Sequence, residues 1–416
     1  MFPRSSVAAA LTLAVSGCGL GGVQTSTTPS PAMASSPMPT APVDSASRSA
    51  PSGEQTPEPV AFPVGAFAAI SKDPVSEELA AELQAALATH DVTGGGGMSA
   101  TVMTPEGTWS GTTGKADGVR DLQVDDQFAV ASITKTVVAA QVLLMVEAGE
   151  LGLDDPVADH LPADLEFDDN GATVRDLLGH RSGLPDIYEV GPLAEVGENP
   201  ERAWTPGELM LLVPNERQAP GEGFAYAETN YLVLKLMIEH LRGRPLAGVL
   251  RNGVLAMSGL ERLVLQPDEM PSEPVAMPAG ASDAALDDLG GSLPSLAIAS
   301  AYQPSGGIAS DAASLARWFR ALCAGEVVSR ASLTEMSTFQ PGEFGGPYGL
   351  GMYNPALGHA GAFGHTGQLP GYMSWAACLP EEEAVIVVLT NHEVDDGHFA
   401  FSHGLARPLV DALRSP

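Results

Sequence analysis

The sequence predicts an α+β fold, an α/β sandwich whose single antiparallel sheet draws strands from both chain ends, is flanked by helices and carries an inserted all-helical region. Three observations predict it. Short strand-like runs stand near residue 100 and again after residue 348. The stretch from about Asp154 to Leu315 reads as helices and loops punctuated by Pro and Gly. Helical spacing of apolar residues marks both the beginning and the end of the folded body.

The chain opens with Arg4 and an apolar run from Val7 to Val15, followed by Ser16-Gly17-Cys18. A positive start with a short apolar core reads as a secretory signal, too short for an ordinary membrane span. The cysteine after small residues resembles the lipobox of bacterial lipoproteins. Residues 1–18 are therefore read as a lipoprotein-type signal ending at Cys18, the lipidated residue. Residues 19–63, Ser-, Thr-, Pro- and Ala-rich with almost no large apolar side chains, are expected to be a disordered tether. The body then spans 64–416, with the helical region at about 154–315. This layout places it outside the cytoplasmic membrane, anchored to the outer face by its N-terminal lipid.

Within the body, Leu79, Leu83 and Leu87 mark an amphipathic helix over Pro74 to His90. Met98 to Met103 and Thr108 to Thr112 read as strands joined by Pro105-Glu106-Gly107. A long helix runs from near Ser132 to Gly149, and another covers Asn230 to Leu241. Tyr348 to Tyr353, Tyr372 to Leu379 and Ala384 to Thr390 read as three strands, and His398 to Leu413 as a closing helix. Cys323 and Cys378 are read as two separate buried thiols, although an oxidising compartment would permit a bridge.

The formal charge is −31, with 51 acidic and 20 basic residues. A surface that negative repels phosphate backbones and argues against nucleic acid as a partner. The run Asn391-His392-Glu393-Val394-Asp395-Asp396-Gly397-His398, with His403 beyond, carries metal-ligand types but not H-E-x-x-H spacing. It is read as a solvated loop. Neither a metal nor a cofactor is expected.

Three segments carry chemistry. Ser132-Ile133-Thr134-Lys135 opens a helix, where positions three apart share a face, so an amine can take the hydroxyl proton. Lys72, Lys115, Lys135 and Lys235 are the only lysines, and Lys135 alone has a serine three residues before it. A lysine in an apolar setting after Phe128-Ala129-Val130-Ala131 loses its proton more readily. Tyr226 stands between a turn (Pro220-Gly221-Glu222-Gly223) and the next helix, where its phenol can share proton handling. Gly364-His365-Thr366-Gly367-Gln368 precedes the strand through Trp375, and Gly367 permits close backbone approach. The backbone N–H groups of Ser132 and Gln368 are expected to form an oxyanion hole.

Taken together, these segments resemble the serine β-lactamase and penicillin-binding protein family, in its class C β-lactamase, D-Ala-D-Ala carboxypeptidase and esterase branch. They follow the family's order S-x-x-K, Y-x-N, H/K-T-G. Leu153-Asp154-Asp155-Pro156, Leu177 to Leu184, Ser305-Gly306-Gly307-Ile308 and Tyr348-Gly349-Leu350-Gly351 look like further landmarks. The resemblance implies the β-lactamase/transpeptidase-like fold and an acyl-enzyme on Ser132. It makes Lys135 and Tyr226 the proton-handling pair and Glu228, His365, Thr366, Gly367 and Gln368 substrate-binding residues.

Two departures stand out. Glu228 occupies the usual Asn position; a carboxylate only accepts hydrogen bonds and is expected to raise the Lys135 pKa. Gln368 stands where relatives that bind a substrate carboxylate often place Ser or Thr. The expected function is hydrolysis of D-amino-acid peptides in the manner of a D-Ala-D-Ala carboxypeptidase, on a small peptide, an ester or a cell-wall peptide. The alternatives are an esterase or β-lactamase of the same mechanism, or a non-catalytic cell-wall-binding surface lipoprotein.

Overall fold

The computed structural model describes residues 62–90, 95–188, 199–279, 291–342, 346–354, 362–392 and 400–414. The signal, Cys18 and most of the tether lie outside the described residues, as does the run 393–399. Phe62 is buried against the rings of Phe67 and Phe363. The folded body therefore starts ahead of the expected boundary at residue 64.

The main sheet has five strands: β1 (Gly97–Thr104), β2 (Gly107–Gly114), β6 (Phe363–Leu369), β7 (Tyr372–Leu379) and β8 (Ala384–Thr390). Their spatial order is β2-β1-β8-β7-β6, and every neighbouring pair is antiparallel. The two chain ends meet where β1 pairs with β8, Ala100 opposite Val388. All of β8 is apolar or small because both faces are covered. Ile386 and Val388 join one core with Leu83 and Leu87 of helix α1 (Glu77–Leu87) and Leu405 and Leu409 of helix α6 (Ala400–Leu413). Val385, Val387 and Leu389 belong to the other core, with Leu315 and Phe319 of helix α5 (Ala312–Cys323).

Helix α2 (Thr134–Glu147) is buried on nearly every side, as expected for a helix with little polar surface. Helix α4 (Glu228–Arg242) ends on Gly243, whose φ of 60° supplies the left-handed cap. Between these lies the short helix α3 (Val174–Leu178), begun by a reciprocal Thr173–Asp176 cap.

Three expectations are corrected. The middle region is not wholly helical: β4 (Val264–Leu265) and β5 (Ile308–Ser310) pair with β3 (Phe128–Ala129) in a small second sheet. Tyr348 to Tyr353 is not a strand. Gly351, at φ 70°, turns the segment back so that Tyr348 and Tyr353 bridge each other, and the edge strand is instead β6, which contains His365 to Gln368. Cys323 and Cys378 are not separate thiols but a disulfide, with Cα atoms 6.7 Å apart, joining the end of α5 to β7. Sequence spacing carries no information on that proximity, because 55 residues separate the pair.

Candidate active site

Ser132 lies in a single 3-10 turn, Ala131–Ile133, at the entrance to α2. The small sheet sets that entrance: Phe128 and Ala129 pair with Ser310 and Ala309, and the Val130 N–H donates to the Ile308 carbonyl at 2.9 Å. The Val130 carbonyl accepts from Ser374 Oγ of β7 at 2.8 Å, fastening the turn to the main sheet. Ala131 is held at φ 50°, a left-handed conformation that costs a residue with a Cβ about 1–3 kcal/mol. A Cβ on Gly367 would collide with the Val130 carbonyl, so glycine lets β6 lie directly beside the nucleophile's turn.

Lys135 is completely buried, whereas Ser132 is partly open. Its Nζ donates to Ser132 Oγ at 3.1 Å, to Glu228 at 2.8 and 3.1 Å, and to the Ser305 carbonyl at 3.1 Å. Three acceptor groups thus meet the three hydrogens of an ammonium. The ammonium also lies over the rings of Tyr226 (4.8 Å) and Tyr231 (5.4 Å). Burial pulls the Lys135 pKa down and Glu228 pushes it up; burial wins, and the group sits below the ordinary lysine value. Glu228 acts in the expected direction, and complete desolvation outweighs it.

The Tyr226 hydroxyl hydrogen-bonds Ser132, and burial, reinforced by the charge of Glu228, holds its pKa well above that of a free phenol. Tyr226 is therefore a protonated phenol at rest. Of the two groups touching Ser132, Lys135 is the one whose pKa is displaced toward release of its proton, which makes it the candidate base. Replacing Glu228 with asparagine removes the main influence raising the Lys135 pKa. The acid limb of the pH–rate profile is expected to move to lower pH in Glu228→Asn; an unmoved limb would mean that this carboxylate does not couple to Lys135.

The remaining expected residues divide. His365 and Thr366 of β6 are buried, each 3% exposed, rather than open to solvent. The His365 Nδ1–H donates to the Thr366 carbonyl at 2.5 Å, and its Nε2 accepts from the Tyr348 hydroxyl at 3.2 Å. Burial, then the Lys135 charge, lowers the His365 pKa to about 3, so the ring is neutral. The Thr366 hydroxyl is paired with that of Tyr353 at 2.6 Å. Gln368 is exposed on the edge strand.

Sequence reasoning missed Asp186. Its Oδ1 accepts the N–H of Glu228 at 3.3 Å and of Tyr188 at 3.2 Å, which places a second carboxylate against the start of α4. Burial and the Glu228 charge raise its pKa to about 7. A cavity of about 200 Å³ opens there, lined by Gly183, Pro185, Asp186, Glu216, Arg217 and Tyr226. Nearby, Tyr188 stacks on Tyr302, with centroids 4.1 Å apart. Two signals were available: Asp186 stands two residues beyond the Leu177–Leu184 landmark, and Ser305, whose carbonyl receives Lys135, opens the Ser305–Ile308 landmark. Among the described residues no group of three or more His, Cys, Asp or Glu gathers to hold a metal ion.

A serine within hydrogen-bond reach of a desolvated amine and a phenol is built for acyl transfer. Residues 80–407 match the family described as Beta-lactamase. The chain belongs to the beta-lactamase family. This beta-lactamase-family chain is 25% identical over 298 residues to penicillin-binding protein 4* of Bacillus subtilis, covering 66% of the chain and 63% of that protein. It is 26% identical over 286 residues to a D-aminopeptidase of Brucella anthropi, covering 67% and 52%. The match thus spans between half and two thirds of these relatives' lengths. Among solved structures, D-amino acid amidase from Ochrobactrum anthropi SV3 complexed with D-phenylalanine superposes with a TM-score of 0.69 at 26% identity. That superposition covers 82% of this chain and all of the other. The antiparallel sheet flanked by helices is the fold of that neighbour.

Proposed function

We propose that this beta-lactamase-family chain is a serine hydrolase that cleaves amide or peptide bonds of D-amino-acid substrates bearing a free α-amino group. The observation that carries the reading is Ser132 within 3.1 Å of the fully buried Lys135 amine, with two carboxylates, Glu228 and Asp186, behind it. In its neutral form Lys135 takes the Ser132 proton as Oγ attacks the substrate carbonyl. The N–H groups of Ser132 and Gln368 receive the oxyanion. Tyr226, hydrogen-bonded to Ser132, passes its proton to the departing nitrogen as the C–N bond breaks, and the phenolate recovers the proton held by Lys135, whose ammonium lies against its ring. Water then repeats the sequence on the acyl-enzyme and releases the acid.

The preference for a free amine rests on charge. A carboxypeptidase needs a cation for the substrate carboxylate; here the guanidinium on this cavity, Arg217, donates to the Pro214 and Glu216 carbonyls, while Asp186 lines the cavity beside Tyr226 with Glu228 next to it. A substrate ammonium completes that arrangement. The D-configuration is supported by the relatives named D-aminopeptidase and D-amino acid amidase. Rates on D-phenylalanine amide, its N-acetyl derivative and an N-acyl-D-Ala-D-Ala peptide test the reading. The free-amine amide is expected to lead by at least tenfold, about 1.4 kcal/mol. Faster cleavage of the acylated dipeptide would restore the carboxypeptidase reading.

The location outside the cytoplasmic membrane, anchored through Cys18, is part of the proposal. The Cys323–Cys378 bridge supports it, since disulfides persist in oxidising compartments. Release of a Cys18→Ala variant from the membrane fraction is the expected result; unchanged membrane association would exclude this anchor.

A further inference from the structure

His180 is not assigned to the reaction, yet it grips Tyr226 from three directions. Its backbone carbonyl accepts the N–H of Ala225 at 2.9 Å. Its ring Nδ1 accepts the N–H of Ala227 at 3.2 Å. The residues on either side of Tyr226 are thus both tied to one histidine. Between those bonds the His180 ring lies on the Tyr226 ring, with centroids 4.1 Å apart and planes 24° from parallel.

The arrangement is built rather than incidental. His180 is fully buried and held at φ 55°, a left-handed conformation that histidine tolerates better than most residues. The Asn230 amide also donates to Nδ1 at 3.0 Å, while its Oδ1 accepts from Ser182 Oγ at 2.5 Å. Two donors on Nδ1 fix the ring as the neutral Nε2–H tautomer. Among the described residues Nε2 has no hydrogen-bond partner, and the rings of Tyr348 and Phe224 stand edge-on at 5.0 and 5.9 Å. Leaving a buried donor without an acceptor is costly, so the site retains this ring for what its other nitrogen and its face do. Phenylalanine would supply the stack without the acceptor, and asparagine the acceptor without the stack.

We infer that His180 is a positioning residue, which holds the Tyr226 hydroxyl on Ser132 by clamping both flanking peptides and stacking on the ring. The inference rests on the acyl-transfer reading above. Burial and the nearby Lys135 charge keep the imidazole neutral, so it adds no second cation beside the amine.

The test is a double-mutant cycle read by the rate at which a fluorophosphonate labels Ser132 and by turnover of D-phenylalanine amide, with melting temperature followed in parallel. His180→Phe and His180→Asn are each made in the wild-type and Tyr226→Phe backgrounds. Each is expected to slow labelling about tenfold in the wild type and less than about twofold once the tyrosine hydroxyl is gone. Equal losses in both backgrounds, or no loss in either, would overturn the assignment. If His180→Phe does not fold, His180→Asn, which keeps an acceptor for Ala227, decides alone. A wild type that takes no label overturns the acyl-transfer reading itself. A labelled wild type with background-independent losses overturns only the role of His180.

Discussion

Lys135→Ala is expected to lower the rate of Ser132 acylation by about 10²–10⁴-fold, the range for loss of a positioned general base. Lys135 is the group touching Ser132 whose pKa is displaced toward neutrality, while Tyr226 is held as a phenol, so no equivalent base replaces it. The same change strands Glu228, which is 9% exposed and uses Lys135 as its counter-ion at 2.8 Å. Removing one partner of a buried ion pair costs about 3–5 kcal/mol. The double variant Lys135→Ala/Glu228→Gln separates the two consequences. It is expected to regain stability in thermal melts while its acylation rate stays low. Recovery of the rate together with stability would mean that Lys135 serves the fold and not the chemistry.

Asp186→Asn is expected to erase most of the preference for a free amino group over its acetylated form, a change of about 10–100-fold in relative kcat/KM. That is the scale of a hydrogen bond to a charged group. Asparagine keeps an oxygen for the N–H groups of Glu228 and Tyr188, so the start of α4 retains its partners. Stability should change in a pH-dependent manner. The folded carboxyl titrates at about 7 against an unfolded value of about 3.9, so the contribution of Asp186 is full below about 3.9 and is lost as pH rises through 7. Asparagine has no such loss. The melting temperature of Asp186→Asn relative to the parent is therefore expected to be higher at pH 8 than at pH 4. A difference that does not grow with pH, or an intact amine preference, would remove Asp186 from the recognition of substrate.

Much of this site was legible because its chemistry is encoded over short distances. Ser132 and Lys135 are three residues apart across the junction of the 3-10 turn and α2, so their meeting follows from local helical geometry. The strands β1, β2, β7 and β8 were readable from local alternation or apolar runs bounded by turns. Failures came where tertiary contact overrides local pattern. Tyr348 to Tyr353 has strand-like composition, but Gly351 folds it back, and Tyr348 turns toward His365. Asp186 reads as one more surface acid in a chain with 51 acidic residues; only its approach to Glu228, 42 positions away, reveals its role. The direction of the Lys135 shift depended on how completely the fold excludes water, which spacing does not encode.

The histidine clamp belongs to the same class. Its landmark, Leu177 to Leu184, was visible as a run of residues, but the stack on Tyr226 joins positions 46 residues apart in sequence. The aromatic cluster of Tyr226, Tyr231 and Tyr348 likewise assembles from the approach to α4, α4 itself and the segment before β6. Tyr226 and Tyr231 lie against the Lys135 ammonium and contribute to the burial that opposes its ion pair.

Mass spectrometry of the intact protein after exposure to a fluorophosphonate, followed by peptide mapping, tests the central claim most directly. The account predicts one adduct, on the peptide containing Ser132, and its disappearance in Ser132→Ala. An adduct that persists in Ser132→Ala, or a correctly folded wild type that takes none, would contradict it.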